Sequence, residues 1–179
     1  MSIAVIYGGT RKNGNTEILT EHAIHGVQAE RIYLDDYQIV PIKDSRHAKE
    51  GFQDIDDDYN LLIKRLLAHD TLVFSTPIYW FGMTGQMKTF IDRWSQTLRD
   101  SNFPEFKKQM QSKNAFVIAV GGDNPRLKGL PLIQQFQYIF DFIGISFDGY
   151  VLGVGNKPGE IYEDQQALSM ANQLLHKMV

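Results

Sequence analysis

A glycine-rich segment follows the first apolar run of the chain. The run is Ile3–Tyr7, and the segment is GGTRKNGNT, residues 8–16. From Gly9 to Thr16 it matches the triphosphate-binding pattern G-x-x-x-x-G-K-[ST], except that Asn15 stands where the pattern has lysine. The third predicted strand ends in STP, so an aspartate for Mg²⁺ is missing as well. The segment also lacks the spacing G-x-G-x-x-G, which excludes the usual dinucleotide site.

The donors of this segment suit a single terminal phosphate. The segment offers two hydroxyls, two cations, one amide and the free N–H groups of a helix N-terminus. Together they favour a dianion that is bound without a metal. A tight turn that binds nothing is the alternative interpretation. We predict that the phosphate is bound by Thr10, Arg11, Lys12, Gly14, Asn15 and Thr16.

Composition narrows the class of protein. A chain of 179 residues that is 43% hydrophobic suffices for one domain, residues 1–179, with a full core. A net charge of −3 offers no basic face, so we expect no nucleic-acid or membrane partner. The absence of cysteine excludes disulfides, thiolate metal sites and cysteine nucleophiles. Neither a leader-like start nor an apolar stretch of about 18 residues occurs, so we expect a cytoplasmic protein.

Short apolar runs alternate with segments of helical period along the chain. The predicted strands cover 2–7, 29–34, 71–77, 114–120 and 145–154. The predicted helices cover 15–28, 59–68, 83–99, 131–143 and 163–178. This alternation is typical of a doubly wound α/β domain. Because the first loop lacks the dinucleotide spacing, we predict the flavodoxin-like arrangement: a five-stranded parallel sheet, order 2-1-3-4-5, with helices on both faces.

Two motifs carry a resemblance to a known family. GTRKNGNT after the first strand and STPIYWFGMTGQMKTFIDRW after the third resemble the flavodoxin-like NADPH-dependent FMN reductases, particularly the branch that includes the iron–sulfur flavoproteins. The likeness spans about residues 2–150. Relatives that hold a cluster carry closely spaced cysteines in the segment that corresponds to 41–58, and this chain has none. The resemblance therefore implies a flavin-only protein with FMN as cofactor and NADPH or NADH as co-substrate.

The resemblance also implies where the flavin ring lies. The ring is flat and partly apolar, and a buried aromatic side chain removes about 150–250 Å² from water. The predicted wall after the third strand consists of Pro77, Ile78, Tyr79, Trp80 and Phe81. After the fourth strand, small residues would let the ring or ribityl chain come close, namely Gly121, Gly122 and Asp123. An exposed aromatic patch at a subunit interface is a compatible alternative for the aromatic loop.

Other charged residues have simpler interpretations. Lys88 and Asp92 predict an i,i+4 ion pair, with Arg93 in a structural or interface salt bridge. The aspartates within 54–58 are predicted to be solvated at the start of the next helix, where the macrodipole favours them. The five histidines lack ligand spacing, so we predict no metal site.

The resemblance implies an oxidoreductase that passes hydride from NAD(P)H to bound FMN and on to a small acceptor. The acceptor is a quinone, a nitro or azo compound, or free flavin. Such a reaction depends on positioning and on ring electronics, so we name no catalytic side chain. Arg126 and Lys128 are candidates for the phosphates of the dinucleotide.

Two other classes stay open. A flavodoxin-type electron carrier would be reduced by a protein partner, although such carriers usually have a strongly acidic docking face. The second class is a regulatory phosphate-binding module, which would not explain the aromatic residues of the loop after the third strand. Relatives of this family are commonly dimers or tetramers, so we expect a homodimer or homotetramer.

Overall fold

Five parallel strands form one sheet in the order β2-β1-β3-β4-β5. The computed structural model describes residues 2–174. The strands are β1 (Ile3–Tyr7), β2 (Ala29–Tyr33), β3 (Thr71–Pro77), β4 (Asn114–Gly121) and β5 (Ser146–Val154). The predicted flavodoxin-like sheet and its strand order are confirmed. The three central strands are almost entirely buried and mostly apolar, as expected where helices cover both faces of a parallel sheet.

Helices lie between the strands, with bounds that differ in places from the predicted ones. They are α1 (Asn15–Ala23), α2 (Tyr59–Leu67), α3 (Gly85–Asp92), α4 (Trp94–Thr97), α5 (Phe106–Gln111), α6 (Pro125–Lys128), α7 (Leu130–Ile143) and α8 (Gln165–Leu174). The short helices α5 and α6 were not predicted. The predicted end of the last helix, 175–178, lies outside the described residues.

Two predicted helices are shorter than their hydrophobic period suggested. The helix predicted to reach residue 28 ends at Ala23, and Gly26 then adopts a left-handed φ of 76°. The helix predicted over 83–99 is divided at Arg93, where the N–H of Gln96 donates to the carbonyl of Arg93 at 2.9 Å. Such an i→i+3 bond tightens the backbone and interrupts the α-helix.

Each face of the sheet has its own core. Because successive side chains of a strand point to opposite faces, Ala4 and Ile6 join the cluster beneath α2, α3 and α7, whereas Ile3 and Val5 join the cluster beneath α1 and α8. On the first face, Phe74 lies at the centre of an aromatic group, with neighbouring ring centroids 5.3–6.2 Å away. The two cores keep the strands in register and so hold the loops at the carboxyl edge of the sheet.

A buried ion pair holds the segment 41–58 against this frame. The Nη1 atom of Arg93 donates to Oδ2 of Asp57 at 2.6 Å, and both side chains are only 1% exposed. The same nitrogen donates to the carbonyl of Val40 at 2.8 Å, and the guanidinium lies 4.3 Å from the ring centroid of Tyr59. The prediction of solvated aspartates is therefore wrong for Asp57, which is a buried anchor.

The other predicted pair on this side is present at the surface. Lys88 and Asp92 approach to 2.6 Å, and both are about two-fifths exposed. This confirms the i,i+4 pair, while Arg93 turns inward to its own partner.

We predict that replacing Asp57→Ala lowers the free energy of unfolding by about 3–5 kcal/mol, because it leaves the guanidinium of Arg93 buried without a counter-charge. Urea unfolding followed by circular dichroism measures this. The matched control is Glu105→Ala, which breaks an exposed pair with Lys108 and should leave the midpoint nearly unchanged. Equal midpoint shifts in the two variants would contradict a special role for the buried pair.

Candidate cofactor site

The loops at the carboxyl edge of the sheet enclose a cavity of about 190 Å³. Most residues predicted to bind the cofactor line it: Thr10, Arg11, Gly14, Asn15, Thr16, Pro77, Ile78, Tyr79, Gly121 and Gly122. The others do not: Lys12, Trp80, Phe81 and Asp123. Further lining residues were not predicted: Tyr7, Gly9, Glu17, Tyr33, Ser75, Val120, Gly155 and Asn156. The cavity lies where β1 meets β3, the switch point at which ligands of doubly wound sheets bind.

A second depression adjoins the cavity, and we call it the side hollow. It also measures about 190 Å³, and it shares Ile78, Gly121 and Gly122 with the cavity. Its remaining lining includes Trp80 and Phe81. The aromatic tip of the loop after β3 therefore faces a different space from the main cavity.

The segment before α1 presents unused backbone donors to the cavity. Within residues 2–174, the N–H groups of Thr10, Arg11, Asn15 and Thr16 donate no hydrogen bond. Helix α1 begins at Asn15, and its N-cap, Gly14, has no side chain that could accept from the first turn. Unpaired N–H groups and the positive end of the helix dipole attract an anion. The donor set thus fits the phosphate of FMN.

The side chain of Asn15 is committed elsewhere. Its Nδ2 donates to the carbonyl of Lys157 at 2.8 Å, and its Oδ1 accepts from the N–H groups of Gly159 at 2.9 Å and Ile161 at 3.4 Å. The backbone N–H of Asn15 and the second N–H of its Nδ2 remain for a ligand. The side chain instead ties the first loop to the segment after β5, whose glycines in GVGNKPG were the only sequence signal for a further loop at this edge.

Glu17 fixes the shape of the first loop from within. Its Oε2 accepts from the N–H of Asn13 at 2.5 Å, and its Oε1 accepts from the hydroxyl of Tyr33 at 2.7 Å. Asn13 is thereby held in the left-handed region, with φ of 55°. Lys12 turns away from the cavity, since its Nζ lies 3.6 Å from the ring centroid of Tyr33 and 3.2 Å from Asp36.

Two stacked tyrosines lie beside this loop. The rings of Tyr7 and Tyr33 are 4.5 Å apart and inclined by 12°. Burial, and then hydrogen bonds to Glu21 and Glu17, raise the pKa of both phenols well above the ordinary value. The guanidinium of Arg31 lowers the pKa of Glu21. Both phenols therefore stay neutral at physiological pH and act as hydrogen-bond donors to the two carboxylates.

Two glycines after β4 allow neighbouring loops to approach. A Cβ at Gly121 would lie 3.2 Å from Cβ of Ile78, and one at Gly122 would lie 2.8 Å from Cβ of Asn156. Any larger residue would push these walls apart. The slot, by which we mean the part of the cavity that lies against residues 77–79 and 121–122, is therefore lined mainly by backbone and apolar side chains, which fits a flat ring.

The cations near the side hollow already have partners. Lys128 contacts Oδ2 of Asp123 at 2.5 Å. Arg126 forms an ion pair with Asp164, whose carboxylate also accepts from the N–H groups of Val154 and Ala167. The structure thus gives both predicted dinucleotide-binding cations a local structural partner.

The parallel sheet and the donor-rich loop at its switch point define the flavodoxin-like class. The sequence profile of the NADPH-dependent FMN reductases matches residues 1–140. YwqN of Bacillus subtilis strain 168, provisionally named an NAD(P)H-dependent FMN-containing oxidoreductase, is 62% identical over 177 residues, which cover 99% of this chain and 98% of that protein. The chain belongs to the NADPH-dependent FMN reductase family.

Two further comparisons agree with this fold and family. A solved structure described as the Trp repressor binding protein from Bacillus subtilis superposes with a TM-score of 0.84, at 56% identity and over 97% of both chains. The iron–sulfur flavoprotein MJ1083 of Methanocaldococcus jannaschii is 27% identical over an alignment of 191 positions, gaps included, that covers 99% of this chain and 95% of that protein.

These comparisons confirm the resemblance seen in the two motifs, including the kinship with iron–sulfur flavoproteins. They also confirm an oxidoreductase class that uses FMN and NAD(P)H. Separately, no helix within residues 2–174 has the length and apolar character needed to cross a membrane.

We predict that Asn15→Ala frees the segment after β5 from the first loop. The N–H groups of Gly159 and Ile161 lose their acceptor and should exchange with deuterium at least tenfold faster in the FMN-free protein, as expected for the loss of about 1.4 kcal/mol or more. Thr10→Ala is the control, because its side chain forms no hydrogen bond within the described residues. Unchanged exchange at both amides would refute this link.

Proposed function

We propose that the cavity at the carboxyl edge holds FMN, with its phosphate in the loop 9–16 and its ring in the slot, against residues 77–79 and 121–122. The unused N–H donors at the start of α1 carry this proposal. Bound FMN supplies a ring that takes hydride from NAD(P)H and passes electrons to a second molecule.

On the phosphate side, Arg11 would supply the cationic contact. It lines the cavity and, within residues 2–174, forms no ion pair with a carboxylate. Thr10 and Thr16 bring hydroxyls to the same wall. Charge-assisted hydrogen bonds of this kind are each worth about 1.5–3 kcal/mol. Lys12 contributes chiefly to the loop, because Asp36 and Tyr33 hold its ammonium.

On the ring side, Pro77, Ile78 and Tyr79 form one part of the slot, and Gly121 and Gly122 form the adjoining part. The N–H of Ile78 donates to the carbonyl of Val120 at 2.8 Å, which joins the two parts. Because the backbone fixes this surface before the ring binds, the ordering cost of binding is lower.

Among its described lining residues, the cavity has no carboxylate that is free to transfer a proton. Glu17 is its one carboxylate among the described lining residues, and both of its oxygens are engaged by Tyr33 and Asn13. The chain would therefore promote the reaction by positioning two substrates against one ring.

The electron acceptor in this proposal is a small molecule: a quinone, a nitro or azo compound, or free flavin. We also propose a homodimer or homotetramer, because Tyr79 and Phe81 expose apolar surface beside the cavity. The cytoplasm, where NAD(P)H is available, is the proposed location.

Anaerobic titration of the purified protein tests the function. FMN should copurify with the protein and give it the visible absorbance of a flavin. This absorbance should bleach within seconds when NADPH or NADH is added, because hydride transfer needs no protein partner. Persistent colour would instead indicate a carrier that awaits a protein reductase. A colourless protein that cannot be reconstituted with FMN would refute the proposal.

The phosphate contact can be tested by comparing FMN with riboflavin. We expect Arg11→Ala to weaken FMN about 10- to 100-fold, the equivalent of one charge-assisted contact, with riboflavin affinity unchanged. Fluorescence quenching measures both dissociation constants. Lys12→Ala removes the adjacent cation and should affect FMN much less, because that ammonium is bound to Asp36. Similar losses in the two variants, or a parallel loss of riboflavin, would show that Arg11 has no specific role.

A further inference from the structure

The loop after β3 ends in a strained turn. Tyr79 and Gly82 exchange both backbone hydrogen bonds at 3.0 Å, which leaves Trp80 and Phe81 as the two central residues. Both are left-handed, with φ of 49° and 65°. Such turns normally use asparagine and glycine, and a bulky residue at positive φ is an outlier. Strain of this kind concentrates at functional sites.

Nothing in the described fold requires tryptophan at this position. Trp80 is 96% exposed, and it pairs with no other aromatic ring within residues 2–174. Because this side chain makes almost no contact within the fold, asparagine or glycine would keep the same internal contacts and would strain the turn less. The strain therefore serves to present the indole outside the fold.

Trp80 stands at the rim of the side hollow, next to the proposed flavin slot, with its indole almost fully exposed. Trp80 and Phe81 line one part of the hollow, and Gly121 and Gly122 line a part that it shares with the main cavity. A planar molecule in the hollow would thus contact an aromatic surface and the edge of the flavin slot at once. Aromatic stacking is the attraction that such a surface offers.

The charges around the hollow argue against the dinucleotide. Lys128 is neutralised by Asp123 at 2.5 Å, and Arg126 is engaged by Asp164. A pyrophosphate in the hollow would compete with Asp123 for Lys128, whereas an uncharged ring would not. The chemistry of the hollow fits a neutral planar acceptor.

We infer that Trp80 is a specificity-determining residue that stacks on a planar aromatic electron acceptor in the side hollow. This inference rests on the proposed function, since it deepens the second half of the same reaction. The indole positions the acceptor and touches neither NAD(P)H nor the phosphate of FMN.

The test compares two acceptors on the FMN-loaded protein. Trp80→Asn keeps a residue that tolerates the left-handed turn but removes the ring. With NADPH as donor, kcat/KM for 1,4-naphthoquinone should fall at least tenfold more than kcat/KM for ferricyanide, mainly through KM. The melting temperature should be equal or higher, because strain is relieved. Trp80→Phe should restore most of the naphthoquinone preference, and Tyr162→Asn, at an exposed aromatic outside both the cavity and the hollow, should leave it unchanged.

Four results would overturn the inference. A parallel fall for both acceptors would indicate a general defect, and loss of bound FMN would place Trp80 in the cofactor seat. A slower reduction of FMN by NADPH in rapid mixing would assign the hollow to the dinucleotide. A changed elution volume in size-exclusion chromatography would make Trp80 an interface residue. Failure of the wild-type protein to bleach with NADPH or NADH would refute the proposed function itself, which separates the two hypotheses.

Discussion

The first turn of α1 leaves backbone N–H groups that no residue of the described chain accepts, and the site is arranged around this deficit. Orphan donors at a helix start must meet water or a ligand, and a parallel sheet places them at the edge where all strands end. The side chains of Asn15 and Glu17 form hydrogen bonds that fix the shape of the loop. The result is a loop whose donors are oriented before any anion arrives.

The segment 41–58 is held to the frame by charge rather than by a cluster. The family resemblance assigns it cluster-binding cysteines in some relatives, and this chain has none. Here Asp57 reaches inward to Arg93, at the point where the predicted long helix divides into α3 and α4. The buried guanidinium of Arg93 thus holds a long polar segment in place. It lies where the helix is divided, and it contacts the ring of Tyr59.

Periodicity predicted the sheet well because hydrophobic runs report burial, and burial is what defines a central parallel strand. The motifs also predicted which loops meet at the edge. They could not predict side-chain direction, which depends on partners distant in sequence: Lys12 is drawn to Asp36, and the tip at Trp80 turns toward the side hollow. Tyr7 and Tyr33 were missed for a related reason. Each ends a strand, and only the pairing of β1 with β2 brings the two rings together.

The left-handed residues other than glycine share one location. Within residues 2–174 they are Asn13, Trp80, Phe81 and Asn124, and all lie in loops at the carboxyl edge. The strands and helices are conformationally relaxed, so the molecule separates a stable frame from a strained rim. Because the core lies within the frame, exposed residues of the rim, such as Trp80, can be exchanged at little cost in stability. Such a division lets a family diversify its substrates while it keeps one architecture.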